Sequence, residues 1–279
     1  MPLNITCINC GNTFEGKFCN ACGEKFYTDK DKSFKHLAEE TFHFITHLDS
    51  KFLVTLKSVL LKTGKYALEF TGGKRKKYIK PVTLFLIVVV LYLIFPMFKG
   101  LNMQFNTYLN PRYGYTSFAV PIAKAKISKG ITQEELRIHY DETSPKFAKF
   151  LLLLYLPLTA AALSFLFIKR RKFFFDHFIL ATELNTFYVF VLFLVMPLVV
   201  LISEFISPTS VKYFSDGGIA FLSVFIMFII VTSFAFKRFY QEKWIWSSLK
   251  AIVFMLLYNF VIKSIYNIVL FLLVMFFVH

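Results

Sequence analysis

From residue 81 onward the chain alternates between apolar runs and polar or basic breaks. Five runs approach the roughly twenty residues a helix needs to cross ~30 Å of hydrocarbon. They cover about 82–98, 147–168, 178–202, 218–236 and 251–278. The last is long for one span. It fits a tilted helix, an interfacial stretch leading into a span from about Tyr258, or a helical hairpin bent near Lys263 and Ser264. Pro81 opens the first run at a position helices tolerate. Pro157 and Pro197 fall inside the second and third, where neighbouring helices must satisfy the carbonyls they free.

Before these runs the apolar positions keep a helical period but alternate with charge. Ser33 caps a predicted helix through about His47, with Phe34, Leu37, Phe44 and Leu48 among its apolar positions. Asp49 or Ser50 caps a second, carrying Phe52, Leu56, Val59 and Leu60 and ending near Gly64. A short third segment with Tyr66, Leu68 and Phe70 stops at Gly72 and Gly73. None reaches spanning length without charges, which predicts helices on the membrane surface or packed under the bundle. In the polar stretch 99–146, Thr132 and Glu135 have capping-box spacing, predicting a short external helix that ends before Ser144 and Pro145.

The expected architecture is therefore an all-α integral membrane protein. A small N-terminal zinc ribbon (1–25) leads to cytoplasmic juxtamembrane amphipathic helices (26–80). A five-helix transmembrane bundle (81–279) follows, with an external loop at 99–146.

Composition agrees: 56% of the 279 residues are hydrophobic, 37 are Phe, and mean hydropathy is +0.57. The net charge of +15 is accounted for by where the cations fall. Lys74, Arg75, Lys76, Lys77 and Lys80 precede the first run, and Lys169, Arg170, Arg171 and Lys172 join the second and third. Lys237, Arg238, Lys243 and Lys250 join the fourth and fifth, whereas the opposite loop, 203–217, holds only Lys212. The positive-inside rule then puts the N-terminus in the cytoplasm and the C-terminus outside, as in a bacterial inner membrane protein. Topology and anionic lipid explain the basic runs, so no nucleic-acid partner is expected.

All four cysteines fall in two CxxC pairs, Cys7/Cys10 and Cys19/Cys22, eight residues apart and each followed by glycine. That spacing supplies four thiolates to one tetrahedral Zn²⁺, a closed structural site with no room for water or substrate. The segment from Asn12 to Phe18 reads as a hairpin between the two knuckles. Two disulfides would need an oxidising compartment, and the charge pattern places this end in the reducing cytoplasm.

The order of features resembles a bacterial family of uncharacterised membrane proteins, domain of unknown function 3667, many of which begin with a zinc ribbon. The resemblance rests on CINCG and CNACG, on FKHLAEETFHFITHLDSKFLVTLKSVLLKTGK, and on GGKRKKYIKPVTLFLI at the first run. ITQEELRIHYDE and KRRKFFFDHFILATELNTF extend it to the third run. Members often carry histidines in that run where this chain has Glu183 and Asn185. The resemblance implies architecture and no activity.

Two further groups are candidates for chemistry. His36, Glu40, His43 and His47 fall within about 60° on one helical stripe, a second possible metal site. Glu183 and Lys263 are the ionisable residues inside predicted runs, where an unpaired charge is costly, and an ion pair between them is expected. Asn185, Asn259 and Asn267 add polar groups for a cavity or for helix locking. Asp176 and His177 sit at the mouth of the third run, as a headgroup-level contact. There is no HExxH, no nucleophilic triad and no phosphate-binding glycine loop, so no catalytic residue is assigned. The expected role is non-enzymatic, a scaffold docking a cytoplasmic partner or a second copy. The rival roles are a transporter or oligomeric channel using Glu183 and Lys263, and a lipid-acting metalloenzyme using the histidine stripe.

Overall fold

The computed structural model describes residues 5–7, 10–16, 18–22, 51–94, 103–170, 173–206 and 218–277. The chain divides into two compact units, Met1–Lys51 and Phe52–His279.

In the first unit, β1 (Ile5–Thr6) pairs antiparallel with β2 (Thr13–Phe14), Ile5 opposite Phe14 and Thr6 opposite Thr13. The ladder therefore spans the first knuckle, and Phe18 takes part in a further bridge. The reason for the ladder is local. The Cys7 amide donates to Asn12 O and the Gly11 amide to Cys7 O, both at 2.8 Å, folding β2 back onto β1. Gly11 makes this turn at φ +72°, where a side chain would be strained.

The second unit is helical. Residues 51–61 form α1. Then come α2 (Lys65–Thr71), α3 (Pro81–Ile94), α4 (Phe105–Leu109) and α5 (Thr116–Ile127). They are followed by α6 (Gln133–Leu151), α7 (Tyr155–Leu166), α8 (Phe174–Phe190) and α9 (Met196–Ile206). The last three are α10 (Gly218–Tyr240), α11 (Trp244–Leu257) and α12 (Lys263–Phe277).

Among the described residues four continuous helices are long and apolar enough to cross a membrane: Gln133–Leu166, Phe174–Ile202, Leu222–Tyr240 and Trp244–Phe277. The first predicted run is described over α3, 14 residues, and the expected remainder to 98 lies outside the described residues.

Three boundaries differ from expectation. The helix at Thr132 does form with its capping box: Thr132 Oγ1 accepts from the Glu135 amide at 3.2 Å, and Glu135 Oε2 accepts from the Thr132 amide at 2.9 Å. It does not stop at Ser144 and Pro145, however. It runs through Pro145 and a 3₁₀ turn (Leu152–Leu154) into α7. Apolar burial of Ala148, Leu152, Tyr155 and Leu156 continues across the joint and outweighs the one backbone bond a proline removes. The described residues 103–146 are thus largely helical. The final run starts at Trp244 and passes through a π turn (Tyr258–Ile262) as one helix, so the hairpin at Lys263 and Ser264 does not form. A second π turn (Val191–Val195) immediately precedes Met196 and Pro197. Pro197 has no N–H for the carbonyl four residues back, and the wider turn relieves the clash of its ring.

α7 and α3 pack on α8, α10 on α11, and α12 on α6. One core joins α1 and α2 to the bundle through Val59, Tyr66, Phe70, Leu180, Leu184 and Phe236. A second, rich in rings, joins α4, α6 and α12 through Phe105, Tyr108, Tyr140, Tyr266 and Phe271. The outward faces are also apolar. Leu222, Ile226, Ile230 and Phe234 stand exposed at i, i+4 spacing along α10, and Leu249, Ile252, Val253 and Leu256 do so on α11. Contiguous apolar stripes of this extent mark a surface that meets lipid.

Candidate functional site

In the first unit the four cysteine sulfurs all lie within 4.8 Å of one another. Cys7 and Cys22 Sγ are 3.5 Å apart, Cys10 and Cys19 Sγ 3.6 Å. A disulfide needs ~2.05 Å, so these are four separate thiols. Four sulfurs bound at ~2.3 Å around a tetrahedral ion stand about 3.8 Å apart, close to what is seen. The donor set therefore fits a metal ion.

Its electrostatics point the same way. Backbone N–H groups of Cys22 and Ala21 hold the Cys19 thiol down at about 6. An N–H of Asn12 also favours the Cys10 thiolate, yet the neighbouring thiols of Cys22, Cys19 and Cys7, together with burial, push Cys10 up to about 12. Packed this closely, the sulfurs cannot all ionise together unless a cation neutralises them. The candidate second site, His36, Glu40, His43 and His47, lies outside the described residues, as does the predicted helix 33–47.

In the second unit the focus is Glu183, fully buried on α8. Its expected partner Lys263 stands exposed on α12, and the pair does not form. Instead Oε1 accepts from the Gly64 amide at 2.7 Å and Oε2 from the Ala67 amide at 2.8 Å. Those are the N-cap and N3 amides of α2. A helix start leaves such donors without partners, and its own N-cap side chain usually supplies the acceptor. Gly64 has no side chain to do so, and it cannot have one. It sits at φ +85°, and an added Cβ would come within 2.6 Å of Ala235 O in α10. The carboxyl of Glu183 thus performs both halves of a capping box from another helix. Arg238 on α10 closes the junction by donating to Thr63 O. The segment from Gly64 to Thr71 is therefore packed under the bundle.

Most of the other intramembrane polar groups bond close by, although Asn267 Oδ1, Ser144 Oγ and Ser247 Oγ are buried without a hydrogen-bond partner among the described residues. Asn185 Nδ2 donates to Thr159 Oγ1 (3.1 Å) and Ala181 O (2.8 Å), and its Oδ1 accepts from Tyr258 OH at 2.8 Å. Tyr188 OH lies 2.5 Å from Thr232 Oγ1. Asn259 Nδ2 donates to Met255 O, and Asn267 Nδ2 to Tyr115 OH. His177 is buried, with Nδ1 2.7 Å from Tyr240 OH.

The basic breaks meet at one end of this unit. Glu242 Oε1 accepts from Arg170 Nε at 2.8 Å and Lys250 Nζ at 2.6 Å. Burial favours the neutral acid, but these two cations outweigh it and hold Glu242 below the usual carboxylate range. Arg75 lies over the Phe70 and Phe175 rings. Phe173, Phe174, Phe175, Trp244 and Trp246 are exposed at the same level, where aromatic rings anchor helices at an interface.

What sequence reasoning missed was the partner of Glu183. The available signals were Gly64, a helix start without a capping side chain, and one acid in an apolar run.

Four helices of spanning length with apolar outward stripes fit a multi-span helical membrane protein, here with a separate cysteine-cluster unit. A family model described as "Protein of unknown function (DUF3667)" matches residues 49–93, which hold α1, α2 and most of α3. No curated protein and no solved structure matches the chain.

Proposed function

We propose that this chain is a non-enzymatic scaffold of the bacterial cytoplasmic membrane. Its N-terminal unit binds one structural zinc through Cys7, Cys10, Cys19 and Cys22. It docks a cytoplasmic partner or a second copy, and the bundle anchors it with the C-terminus outside. One observation carries the choice of a scaffold over a transporter. Among the described residues, Glu183, Asn185, Tyr188 and Asn259 each bond within the bundle or to α2, and Asn267 bonds through its Nδ2 to Tyr115 OH. Glu183 and Lys263, the pair a transport path was to use, do not meet. The histidine stripe of the metalloenzyme reading lies outside the described residues.

Metal analysis of the purified full chain is expected to give one zinc per chain. Cys19→Ser should lose most of it, because one of four thiolates is gone. Cross-linking in cells is then expected to capture an adduct with wild type that disappears with Cys19→Ser while the bundle stays folded. An adduct unaffected by loss of metal, or substrate flux in proteoliposomes, refutes the scaffold reading.

A further inference from the structure

Where α1, α2 and the 3₁₀ turn Arg75–Lys77 meet, they line an open pocket of about 150 Å³. Four lysines line it, Lys57, Lys62, Lys65 and Lys77, with Val54 and Tyr78 as walls. Within it lies Ser58, only 8% exposed, whose Oγ has no hydrogen-bond partner. A buried hydroxyl without a close partner is costly, and the polar group beside it is the Tyr78 phenol, which itself donates to Glu69.

The acid nearby is already shared. Glu69 accepts from Lys77 Nζ (2.9 Å) and Tyr78 OH (2.7 Å), with Lys65 at 3.7 Å and Lys74 at 3.9 Å. Lys57 and Lys62 have no acidic partner among the described residues. The pocket thus keeps an excess of positive charge beside a buried hydroxyl, chemistry that suits a phosphate oxygen.

We infer that this pocket binds the phosphate of an anionic phospholipid. The lipid source, and not a free phosphate, follows from what surrounds the pocket. α1 exposes Leu53, Val54 and Leu61 beside these lysines, a face that enters lipid while its cations stay at headgroup level. Lys77 also lies four residues before Pro81, where α3 begins, and next to Arg75, which reaches the exposed ring of Phe175 at the start of α8. The pocket therefore sits at the depth where the helices enter the bilayer. Acyl chains of a bound lipid would run along the apolar face of α1.

The test uses the full chain in neutral detergent, titrated with phosphatidylglycerol or phosphatidylcholine and read by native mass spectrometry. Saturable binding of phosphatidylglycerol is expected, with phosphatidylcholine at least tenfold weaker. Lys57→Gln with Lys62→Gln should weaken phosphatidylglycerol about tenfold, and Ser58→Ala severalfold. Lys76→Gln with Lys80→Gln removes the same charge outside the pocket and should leave binding intact. Equal losses in the two double variants would mean diffuse surface attraction and overturn the pocket. Unchanged binding in Lys57→Gln with Lys62→Gln, in protein whose unfolding temperature is unaltered, overturns it as well. Displacement of the lipid by millimolar inorganic phosphate at these same residues would overturn the lipid source and assign the pocket to soluble phosphate.

Discussion

Replacing Glu183 by alanine should release α2 from the bundle. The substitution removes the acceptor of two amides, Gly64 and Ala67, that are buried and have no water to turn to. Each buried donor left without a partner costs about 1–3 kcal/mol, giving ~2–6 kcal/mol for the pair. At ~1.4 kcal/mol per decade, even the lower figure raises local opening about thirtyfold. Hydrogen exchange of the full chain in lipid nanodiscs reads this directly. Peptides covering 62–71 should exchange at least thirtyfold faster, while those covering α11 and α12 hold their protection. Glu183→Gln should fall between wild type and alanine, because its single carbonyl oxygen serves one amide while its NH₂ faces the other. Lys263→Ala should add to Glu183→Ala within ~0.3–0.5 kcal/mol, as expected of residues without a shared contact. Unchanged exchange at 62–71 would refute the cross-helix cap, and strong coupling to Lys263 would restore the ion pair.

Gly64→Ala is expected to be at least as damaging by a different route. It forces a side chain into the left-handed region, at about 1–2 kcal/mol, and drives its Cβ into the α10 backbone, so purified protein should unfold at lower temperature than wild type. Loss of protection confined to the loop would contradict the close approach to Ala235. Glu69 supplies a pH test. Hydrogen bonds from Lys77 and Tyr78 hold its carboxyl down at about 2, below its ordinary 4.5. A depressed carboxyl contributes stability that is present above the unfolded value and lost as pH falls through the folded one. Protection of 69–78 should accordingly be flat from pH 7 to 5 and fall between about 4.5 and 2, and a fall already complete at pH 5 would exclude this cause. A reporter fused after Arg171 should lie inside and one fused after His279 outside. A cytoplasmic C-terminal reporter would overturn the proposed orientation, since the final helix is continuous from Trp244 to Phe277.

What the sequence determined by itself were features written in side-chain type and spacing. The apolar runs became helices. Thr132 and Glu135 became a capping box, and Gly64 and Gly72 became the limits of α2. The two CxxC pairs became one cluster of sulfurs. Each depends on residues close in the chain or, for the cysteines, on a residue type with few alternative uses. Tertiary structure decided the rest. Ser144 and Pro145 read as the end of a helix, yet it continues through them, because packing on neighbouring helices offsets one lost backbone bond; Pro157 and Pro197 lie within continuous helices, as expected. Lys263 was the obvious partner for Glu183 on charge alone. The carboxyl instead meets the amides of Gly64 and Ala67, more than a hundred residues earlier. Backbone N–H groups are the same at every non-proline residue, so no pattern of side chains can announce them as partners. Only the packing of α2 against α8 and α10 brings those two donors, stranded at the start of a short helix, to the one buried acid able to accept from both.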